Sequence, residues 1–256
     1  MHSKDDVMPP QQKLATTILG TIAGAVLILW FAKMGEMPTA RNDRPRQTPA
    51  DTNTDAPQPD QQPDVVIVGA GISGLTAALE LGRGGARVTV IEMSSVFGGH
   101  AVMSQGGVSI VNTPAQTAEG ITDTPELAYK DFIDWGEDAD TDWVRYYVDN
   151  SREEIFDWLT ELGLQFDGVL TAPGNSVNRF HQPRGRGIGL VSPIYRECLE
   201  LDNIEFVWNT KAEQLLTKDG RVVGVLAQNV RDEEEREFRA PAVILATGGF
   251  QSNLDM

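Results

Sequence analysis

The first long apolar run of the chain lies near its N-terminus. Residues Leu14 to Ala32 carry no charged side chain, and Lys13 and Lys33 flank the run. As a helix, this run would span roughly 28 Å, which matches the hydrocarbon thickness of a bilayer. We predict a single-pass transmembrane helix over residues 14–32, preceded by a tail of residues 1–13. A cleaved signal peptide is the alternative interpretation.

A polar segment follows, over residues 33–63, with few apolar side chains and many Pro, Asp, Thr and Gln residues. Such a composition cannot bury a core, so we expect a disordered linker. Basic residues are more frequent after the apolar run than before it. The positive-inside rule therefore predicts a membrane protein whose folded part, residues 64–256, faces the cytoplasm.

The folded part begins abruptly at Asp64. Val65–Val68 is a continuous apolar run, typical of a parallel strand that is buried on both faces. A glycine-rich turn, an apolar pattern with helical spacing and a second strand ending at Glu92 follow. This order predicts an α/β fold, a Rossmann-like FAD/NAD(P)-binding domain with a parallel sheet.

Later patterns predict two additions to this domain. Residues 123–168 have helical spacing, with Thr124 as a cap and Pro125 at the first helical position, which indicates a helical insertion. Residues 204–229 alternate as strands around the turn at 218–220, which indicates a β-meander.

The glycine-rich turn has the spacing G-x-G-x-x-G. Gly69 allows the sharp turn, Gly71 lets the backbone approach a pyrophosphate, and Gly74 lets the helix pack closely on the strand. The helix N-terminus offers N–H groups to phosphates, and Glu92 is placed to accept hydrogen bonds from a ribose. The cofactor contacts predicted here are Gly69, Ala70, Gly71, Ile72, Ser73, Gly74, Glu92 and Met93. The motif alone does not separate FAD from NAD, but further glycine pairs downstream favour FAD.

Composition excludes some other functions. The formal net charge is −16, which argues against a nucleic-acid partner because phosphates require Lys and Arg. Cys198 is the one cysteine, so the chain has no internal disulfide and no thiolate metal cluster. We expect no bound metal.

Four stretches together resemble a known family. They read VVIVGAGISGLTAALE, GGHAVMSQGGVSI, NRFHQPRGRGIGLV and VILATGGF. Over residues 64–256 the sequence resembles the fumarate reductase/succinate dehydrogenase flavoprotein family, which also includes 3-ketosteroid dehydrogenases and tricarballylate dehydrogenase. The resemblance implies bound FAD and hydride transfer between flavin N5 and a C–C bond of a small organic substrate.

The resemblance also implies further cofactor contacts. The Gly98-Gly99 turn would lie along the flavin and its phosphates, and Gly106 and Gly107 would approach the isoalloxazine ring. Residues 243–249 would be a later parallel strand of the same sheet, and Gly248-Gly249 would close over the cofactor. The contacts implied in these segments are Gly98, Gly99, His100, Gln105, Gly106, Gly107, Thr247, Gly248 and Gly249.

His100 has two interpretations. It precedes Gln105-Gly106-Gly107 with the spacing of the histidine that carries FAD covalently in the membrane-bound branch of the family. The soluble branch has Asn there and binds FAD non-covalently. We favour a non-covalent contact of a neutral imidazole, and covalent attachment through His100 is the alternative.

A cluster of basic residues precedes a predicted helix. Arg179, His181 and Arg184 lie in a glycine-rich stretch of an otherwise acidic chain. In related enzymes a similar stretch lies near the flavin, where cations would hold the reduced flavin or a carboxylate substrate. A surface loop paired with nearby acids is the alternative.

The family resemblance also implies a capping domain, which supplies the proton donor, and no residue up to Met256 is recognisable as that acid. We therefore expect the cofactor half of a membrane-anchored oxidoreductase, with a chain that carries the cap as a candidate partner. The alternative is a non-catalytic FAD-binding module, a relic or an electron-relay partner.

Overall fold

The structure, a computed structural model, describes residues 62–249 of the chain. The described residues all belong to one unit, which spans Asp55–Met256. The predicted tail, transmembrane helix and almost all of the predicted linker lie outside the described residues. Within residues 62–249, no helix is both long enough and apolar enough to cross a bilayer.

The described residues form ten strands, six α-helices, one 3₁₀ helix and one π-helical segment. In chain order these are β1 (Val65–Val68), α1 (Ile72–Arg83), β2 (Val88–Glu92), the 3₁₀ helix (Gly99–Met103), β3 (Val108–Ser109), α2 (Pro114–Ala118), α3 (Pro125–Trp135), α4 (Thr141–Ser151), the π segment (Arg152–Asp157), α5 (Trp158–Glu161), β4 (Phe166–Leu170), β5 (Phe180–Pro183), α6 (Arg186–Leu199), β6 (Ile204–Trp208), β7 (Thr210–Lys218), β8 (Arg221–Asn229), β9 (Glu235–Arg239) and β10 (Ala242–Leu245).

A four-stranded sheet with the order β10-β1-β2-β6 organises the domain. Every pairing in it is parallel, so the chain must cross over between neighbouring strands, and α1 makes the crossover from β1 to β2. The Rossmann-like arrangement predicted from the sequence is confirmed, including β10 as the later parallel strand.

The two faces of this sheet bury different partners. Along β1, Val65 and Ile67 point to a core shared with α1 and α6, whereas Val66 and Val68 point to a core shared with β8 and β9. This alternation follows from the two-residue period of a strand. All four side chains of β1 are buried, which explains the unbroken apolar run.

The β-meander consists of β7, β8 and β9, in that order. Its first hairpin turns at Asp219 and Gly220, which have φ of 52° and 76°. Positive φ at both central residues is the conformation for which an Asp-Gly pair is favoured in tight hairpins. The predicted meander is therefore present, with β6 belonging to the parallel sheet instead.

The insertion is helical only in part. Helix α3 begins at Pro125 after its cap Thr124, whose side-chain oxygen accepts a hydrogen bond from the Leu127 N–H, and it ends at Trp135. The prediction of helix as far as residue 168 is wrong, because β4 occupies Phe166–Leu170 and pairs with β5. Together with β3 these strands form a separate three-stranded antiparallel sheet.

Candidate functional site

The glycine-rich turn lies where β1 ends, between β2 and β10. Two of its glycines are required by packing inside the chain. A Cβ on Gly69, which has a φ of +106°, would lie 2.5 Å from the Ala246 carbonyl oxygen. A Cβ on Gly74 would lie 1.9 Å from the Gly69 carbonyl oxygen. These residues therefore hold α1 against the sheet, as the motif predicts.

The middle glycine has a different environment. A Cβ on Gly71 would meet no atom within 4 Å, and the same holds for Gly248, at the end of β10. Gly71 also caps α1 without any side-chain hydrogen bond to the first turn. Since the first N–H groups of a helix need acceptors, this uncapped N-terminus facing open space suits a pyrophosphate.

Glu92 lies at the carboxyl end of β2, beside the turn. Its Oε2 accepts a hydrogen bond of 2.8 Å from the Ala70 N–H, and its Oε1 accepts one of 2.8 Å from the Ser94 N–H. Each oxygen keeps a second lone pair for another donor. The carboxylate is thus oriented by backbone donors while it remains able to accept ribose hydroxyls, and the side chain of Met93 beside it is exposed.

The second glycine pair packs directly on the first motif. The Gly98 N–H donates a 2.7 Å hydrogen bond to the Ala70 carbonyl oxygen, and Gly98 forms an isolated parallel bridge with Gly71. A Cβ on Gly99 would lie 3.4 Å from the Gly71 Cα. The segment that starts at Gly98 is therefore fixed beside the candidate phosphate site.

His100 follows in the first turn of the 3₁₀ helix and is exposed. The structure gives its imidazole no hydrogen bond to any other residue within 62–249. The side chain thus remains accessible to a ligand beside the Gly98-Gly99 turn. Both interpretations of His100, contact and covalent attachment, remain predictions.

The third glycine pair is tightly enclosed by the protein itself. A Cβ on Gly106 would lie 2.7 Å from the Arg186 carbonyl carbon, and a Cβ on Gly107 would lie 2.0 Å from Cε1 of the Phe180 ring. Packing within the chain therefore already requires glycine at both positions. Gln105 is exposed, and its carbonyl oxygen accepts a 2.6 Å hydrogen bond from Gln182 Nε2. The predicted approach of these residues to a flavin ring stays a prediction.

Residues 247–249 extend from β10 at the same edge of the sheet. Thr247, Gly248 and Gly249 are exposed, and Gly248 has a φ of +79°. Because the carboxyl ends of parallel strands meet at one edge, these residues lie on the side of the sheet that also carries the glycine-rich turn and Glu92. Ile72 and Ser73 begin α1 there, half-buried and exposed respectively.

Arg179 and His181 lie elsewhere. Both are 0% exposed, and both belong to a buried network rather than to a surface loop. The Arg179 guanidinium donates two hydrogen bonds to Asp123, of 2.8 and 2.7 Å, and one of 2.5 Å to Asp131. Every polar atom of the Arg179 and His181 side chains has a protein partner, and their contact with flavin or substrate stays a prediction.

The protonation of this network follows from its contacts. Burial lowers the pKa of Arg179 and raises that of Asp131, but hydrogen bonds outweigh burial in both cases, so the pKa of Arg179 is raised and that of Asp131 is lowered. Ser176 contributes two of the hydrogen bonds to Asp131. The network thus keeps the arginine and the aspartate charged.

His181 is neutral in this network. Its Nδ1 lies 2.6 Å from the Arg179 carbonyl oxygen, which only accepts, so Nδ1 carries the proton. Its Nε2 lies 2.6 Å from the Thr113 hydroxyl, which donates to it. Burial lowers the pKa of His181 below its ordinary value. The neutral imidazole therefore links α2 to β5.

Arg184 is exposed, and its Nε donates a 2.8 Å hydrogen bond to Asp167. For this residue the structure agrees with the alternative interpretation, a surface side chain paired with an acid. Sequence reasoning missed three members of the buried network: Asp123, Asp131 and Gln116, whose Nε2 donates a 3.0 Å hydrogen bond to Asp123. Of these residues, only Gln116 has a local signal in the sequence: the spacing Thr113-x-x-Gln116, which forms a capping box at the start of α2.

Comparison with known proteins places this geometry in context. The profile of a family described as FAD binding domain matches residues 64–255. The chain is 36% identical over 203 residues to the fumarate reductase (cytochrome) of Shewanella frigidimarina, which covers 77% of this chain and 35% of that protein. It is 35% identical over 202 residues to the urocanate reductase of Eggerthella lenta, which covers 75% of this chain and 32% of that protein.

A solved structure agrees with these relatives. The 3-ketosteroid-delta4-(5alpha)-dehydrogenase of Rhodococcus jostii RHA1, crystallised with 4-androstene-3,17-dione, superposes with a TM-score of 0.68 at 29% identity. The match covers 78% of this chain and 48% of that one. The chain spans about a third of the length of the two curated relatives it matches here.

Proposed function

The chain belongs to the FAD binding domain family, and from this premise we propose that it is the FAD-holding part of a membrane-anchored oxidoreductase. Its activity would be the transfer of a hydride between flavin N5 and a C–C bond of a small organic substrate. The names of the relatives, two reductases and a dehydrogenase, support this reaction class. Their substrates differ, so the proposal leaves the substrate open.

FAD is the cofactor of this family, and the observation that carries the proposal is the free space at Gly71. This glycine caps α1 without a side-chain hydrogen bond and has no neighbour where a Cβ would lie. The N–H groups of Ile72 and Ser73 would hold the pyrophosphate there. Glu92, held by two backbone donors, would accept the ribose hydroxyls. When bound, the flavin would supply the hydride-accepting and hydride-donating atom.

The remaining predicted contacts follow the same edge of the sheet. Gly98 and Gly99 would line the cofactor next to the pyrophosphate, because they pack on Ala70 and Gly71. His100 would contact the flavin through its exposed imidazole, with covalent attachment as the alternative. Gly248 would admit the cofactor from the side of β10, where it has open space around it.

The proton that accompanies the hydride requires another group. Arg179 and His181 are buried and their polar atoms are bonded to the protein, so we assign this role to neither. We place the proton donor in a capping region, which a further polypeptide segment or partner chain would supply. The matched relatives are long enough to contain such a region, since this chain covers only about a third of them.

The membrane part of the proposal rests on residues 14–32. If they anchor the protein, the full chain will remain in the membrane pellet after alkaline carbonate extraction. A variant that lacks residues 1–33 will move to the supernatant. Recovery of the full chain in the supernatant would overturn the anchor and leave the FAD site unaffected.

The cofactor is tested on the full chain purified in detergent. We expect a flavin absorbance spectrum that is lost in Gly71→Ala. Acid precipitation then separates the two interpretations of His100: colour in the supernatant means non-covalent FAD. Colour that stays in the pellet for the wild type and moves to the supernatant for His100→Ala means covalent attachment. A chain that is folded but neither carries nor binds FAD would contradict the proposal.

A non-catalytic FAD-binding module is the second candidate function. The burial of Arg179 and His181 favours it, because both side chains bond to protein groups and not to open space. Reoxidation of a reduced viologen dye by fumarate or urocanate separates the candidates. Turnover by the flavin-loaded chain, or by the chain with a partner, supports the oxidoreductase, whereas stable FAD binding without any turnover supports the module.

A further inference from the structure

The strand β10 lies at one end of the parallel sheet, next to β1. The Ala246 N–H donates a 2.8 Å hydrogen bond to the Val68 carbonyl oxygen. Because the backbone groups of a strand point alternately to its two sides, the N–H and C=O groups of Val243 and Leu245 point away from β1. No hydrogen bond within residues 62–249 uses these groups. We call this unpaired side of β10 its outer edge.

The side chains of β10 are those of an internal strand. All residues from Ala242 to Leu245 are apolar. Val243 packs in the core shared with the β-meander, and Ile244 packs in the core shared with α1 and α6. A continuous apolar run that packs on both faces is typical of strands inside a parallel sheet. Leu245 is nevertheless 60% exposed, so the present neighbours of β10 leave part of its apolar surface uncovered.

Other edge strands of this domain carry charged side chains. The exposed Glu205 lies on β6, at the opposite end of the parallel sheet. The strand β9, at an edge of the β-meander, carries Glu235, Arg236, Glu237 and Arg239. Charges on an edge strand discourage pairing with another chain. β10 has none, and Pro241 comes before the strand, so the outward groups of Val243 and Leu245 are available for pairing.

The sequence restricts where a further strand could come from. A strand that runs parallel to β10 needs a crossover of about a dozen residues or more, which is longer than residues 250–256. Residues 33–63 are polar and rich in proline, and residues 14–32 are the predicted transmembrane helix. The curated relatives contain much further sequence, since this chain covers only 35% and 32% of them. Another polypeptide is therefore the source that fits the edge.

We propose that the outer edge of β10 pairs with a parallel, apolar strand of a partner polypeptide. Addition of a strand to a sheet edge is a recurring mode of recognition, in which backbone hydrogen bonds give affinity and alternate side chains give specificity. Every pairing in this sheet is parallel, and the side chains of an added strand would cover Leu245. This inference goes beyond the proposed function and rests on the sheet alone, so it holds whether or not the chain binds FAD.

The probe is a synthetic peptide of about eight residues in which Val and Ile alternate with Thr, with Lys at one end and Glu at the other. It is added to the full chain in detergent, and amide hydrogen exchange is followed by NMR. Saturating peptide should slow exchange at Val243 and Leu245 by about tenfold or more, because their N–H groups become paired. Exchange at Ile244 should change less, because its N–H already faces β1.

Two methylated peptides test whether the backbone makes the contact. One carries N-methyl groups on its odd residues and the other on its even residues. Because the N–H groups of a strand alternate between its two sides, only one methylated peptide can still donate to β10. Fluorescence anisotropy should show that the other one binds about tenfold more weakly than the unmethylated peptide.

Two variants at one position locate the contact. Leu245→Pro removes an outward N–H and leaves the ladder with β1 intact. Leu245→Ala is the matched control, because it shortens the side chain and keeps that N–H. Peptide affinity should be about tenfold lower in Leu245→Pro than in Leu245→Ala. Thermal unfolding checks that both variants fold, and the methylated peptides decide the question if Leu245→Pro does not.

The direction of the added strand is read from cross-links. A benzophenone group at the N-terminus of the peptide should react near Ala242, and one at its C-terminus should react near Thr247. The reverse pattern would contradict parallel pairing. Unchanged exchange at Val243 and Leu245, or equal binding of both methylated peptides, would overturn the proposal. A dimer in sedimentation that Leu245→Pro dissociates would assign the edge to a second copy of this chain and overturn it as well.

Discussion

The two neighbouring glycines of the cofactor turn should respond in opposite ways to the same change. Gly74→Ala introduces a Cβ 1.9 Å from the Gly69 carbonyl oxygen and 3.4 Å from the Ala246 Cβ. The obstacle is backbone, so α1 must shift relative to β1 to admit the methyl group. Overpacking of a close helix-strand contact costs about 3 kcal/mol when the neighbours cannot yield.

Gly71→Ala adds the same methyl group where nothing lies within 4 Å. The backbone there has φ of −72° and ψ of −179°, which any residue adopts. The free energy of unfolding should therefore change by no more than about 1 kcal/mol. The methyl group does occupy the space that the pyrophosphate would enter, so FAD affinity should fall about 10- to 100-fold.

Two assays on the full chain separate these effects. Thermal unfolding without FAD should show a Tm roughly 6–12 °C lower for Gly74→Ala, since 1 kcal/mol corresponds to about 2–4 °C in a domain of this size. Gly71→Ala should unfold close to wild type. Titration with FAD, followed by quenching of flavin fluorescence, should show weak binding by folded Gly71→Ala. Wild-type FAD affinity in Gly71→Ala would refute the assignment of the pyrophosphate to this turn.

Four further predictions follow from individual side chains. Glu92→Gln should lower FAD affinity about tenfold in the same titration, because one charged acceptor is lost. Arg179→Met should reduce the free energy of unfolding in urea by about 3–5 kcal/mol, because it leaves buried carboxylates unpaired, and lowering the pH should recover part of this loss. Folding lowers the pKa of His181, so below the ordinary histidine pKa of about 6.5 the unfolded chain binds more protons than the folded chain. The free energy of unfolding should therefore fall as the pH drops from 7 to 5. It should fall less steeply in His181→Gln. Burial raises the pKa of the Cys198 thiol to about 12, so the folded chain should react with a disulfide reagent at pH 8 only as fast as it unfolds.

The fold was predicted correctly where the sequence signal for an element lies entirely in residues that are neighbours along the chain. The unbroken apolar run of β1, the spacing of Gly69, Gly71 and Gly74, and the Asp219-Gly220 turn each reflect a constraint within a few residues. Such constraints can be read without knowing what lies across the fold. The same holds for α3, which Thr124 and Pro125 begin as predicted.

The antiparallel sheet of β3, β4 and β5 escaped sequence analysis for the opposite reason. β4 is short, and its burial alternates only because β5 and the helices cover one side of it. Gly163, with a φ of +85°, marks the end of the preceding helix, but no local signal specifies that a strand follows it. Strand character there depends on pairing partners, which sequence spacing does not identify.

The sequence by itself determined the cofactor-binding frame, because a tight turn, a buried strand and a helix start impose local residue choices. Only the tertiary structure decided which groups the basic side chains contact. Arg179 pairs with Asp123 and Asp131, which are 56 and 48 residues away along the chain, so a basic cluster that reads as a binding loop is a buried link between segments. The physical reason is that a charge finds its partner through the fold, whereas the positive φ of Gly69 and the contact of Gly74 with the Gly69 carbonyl oxygen are set within one turn.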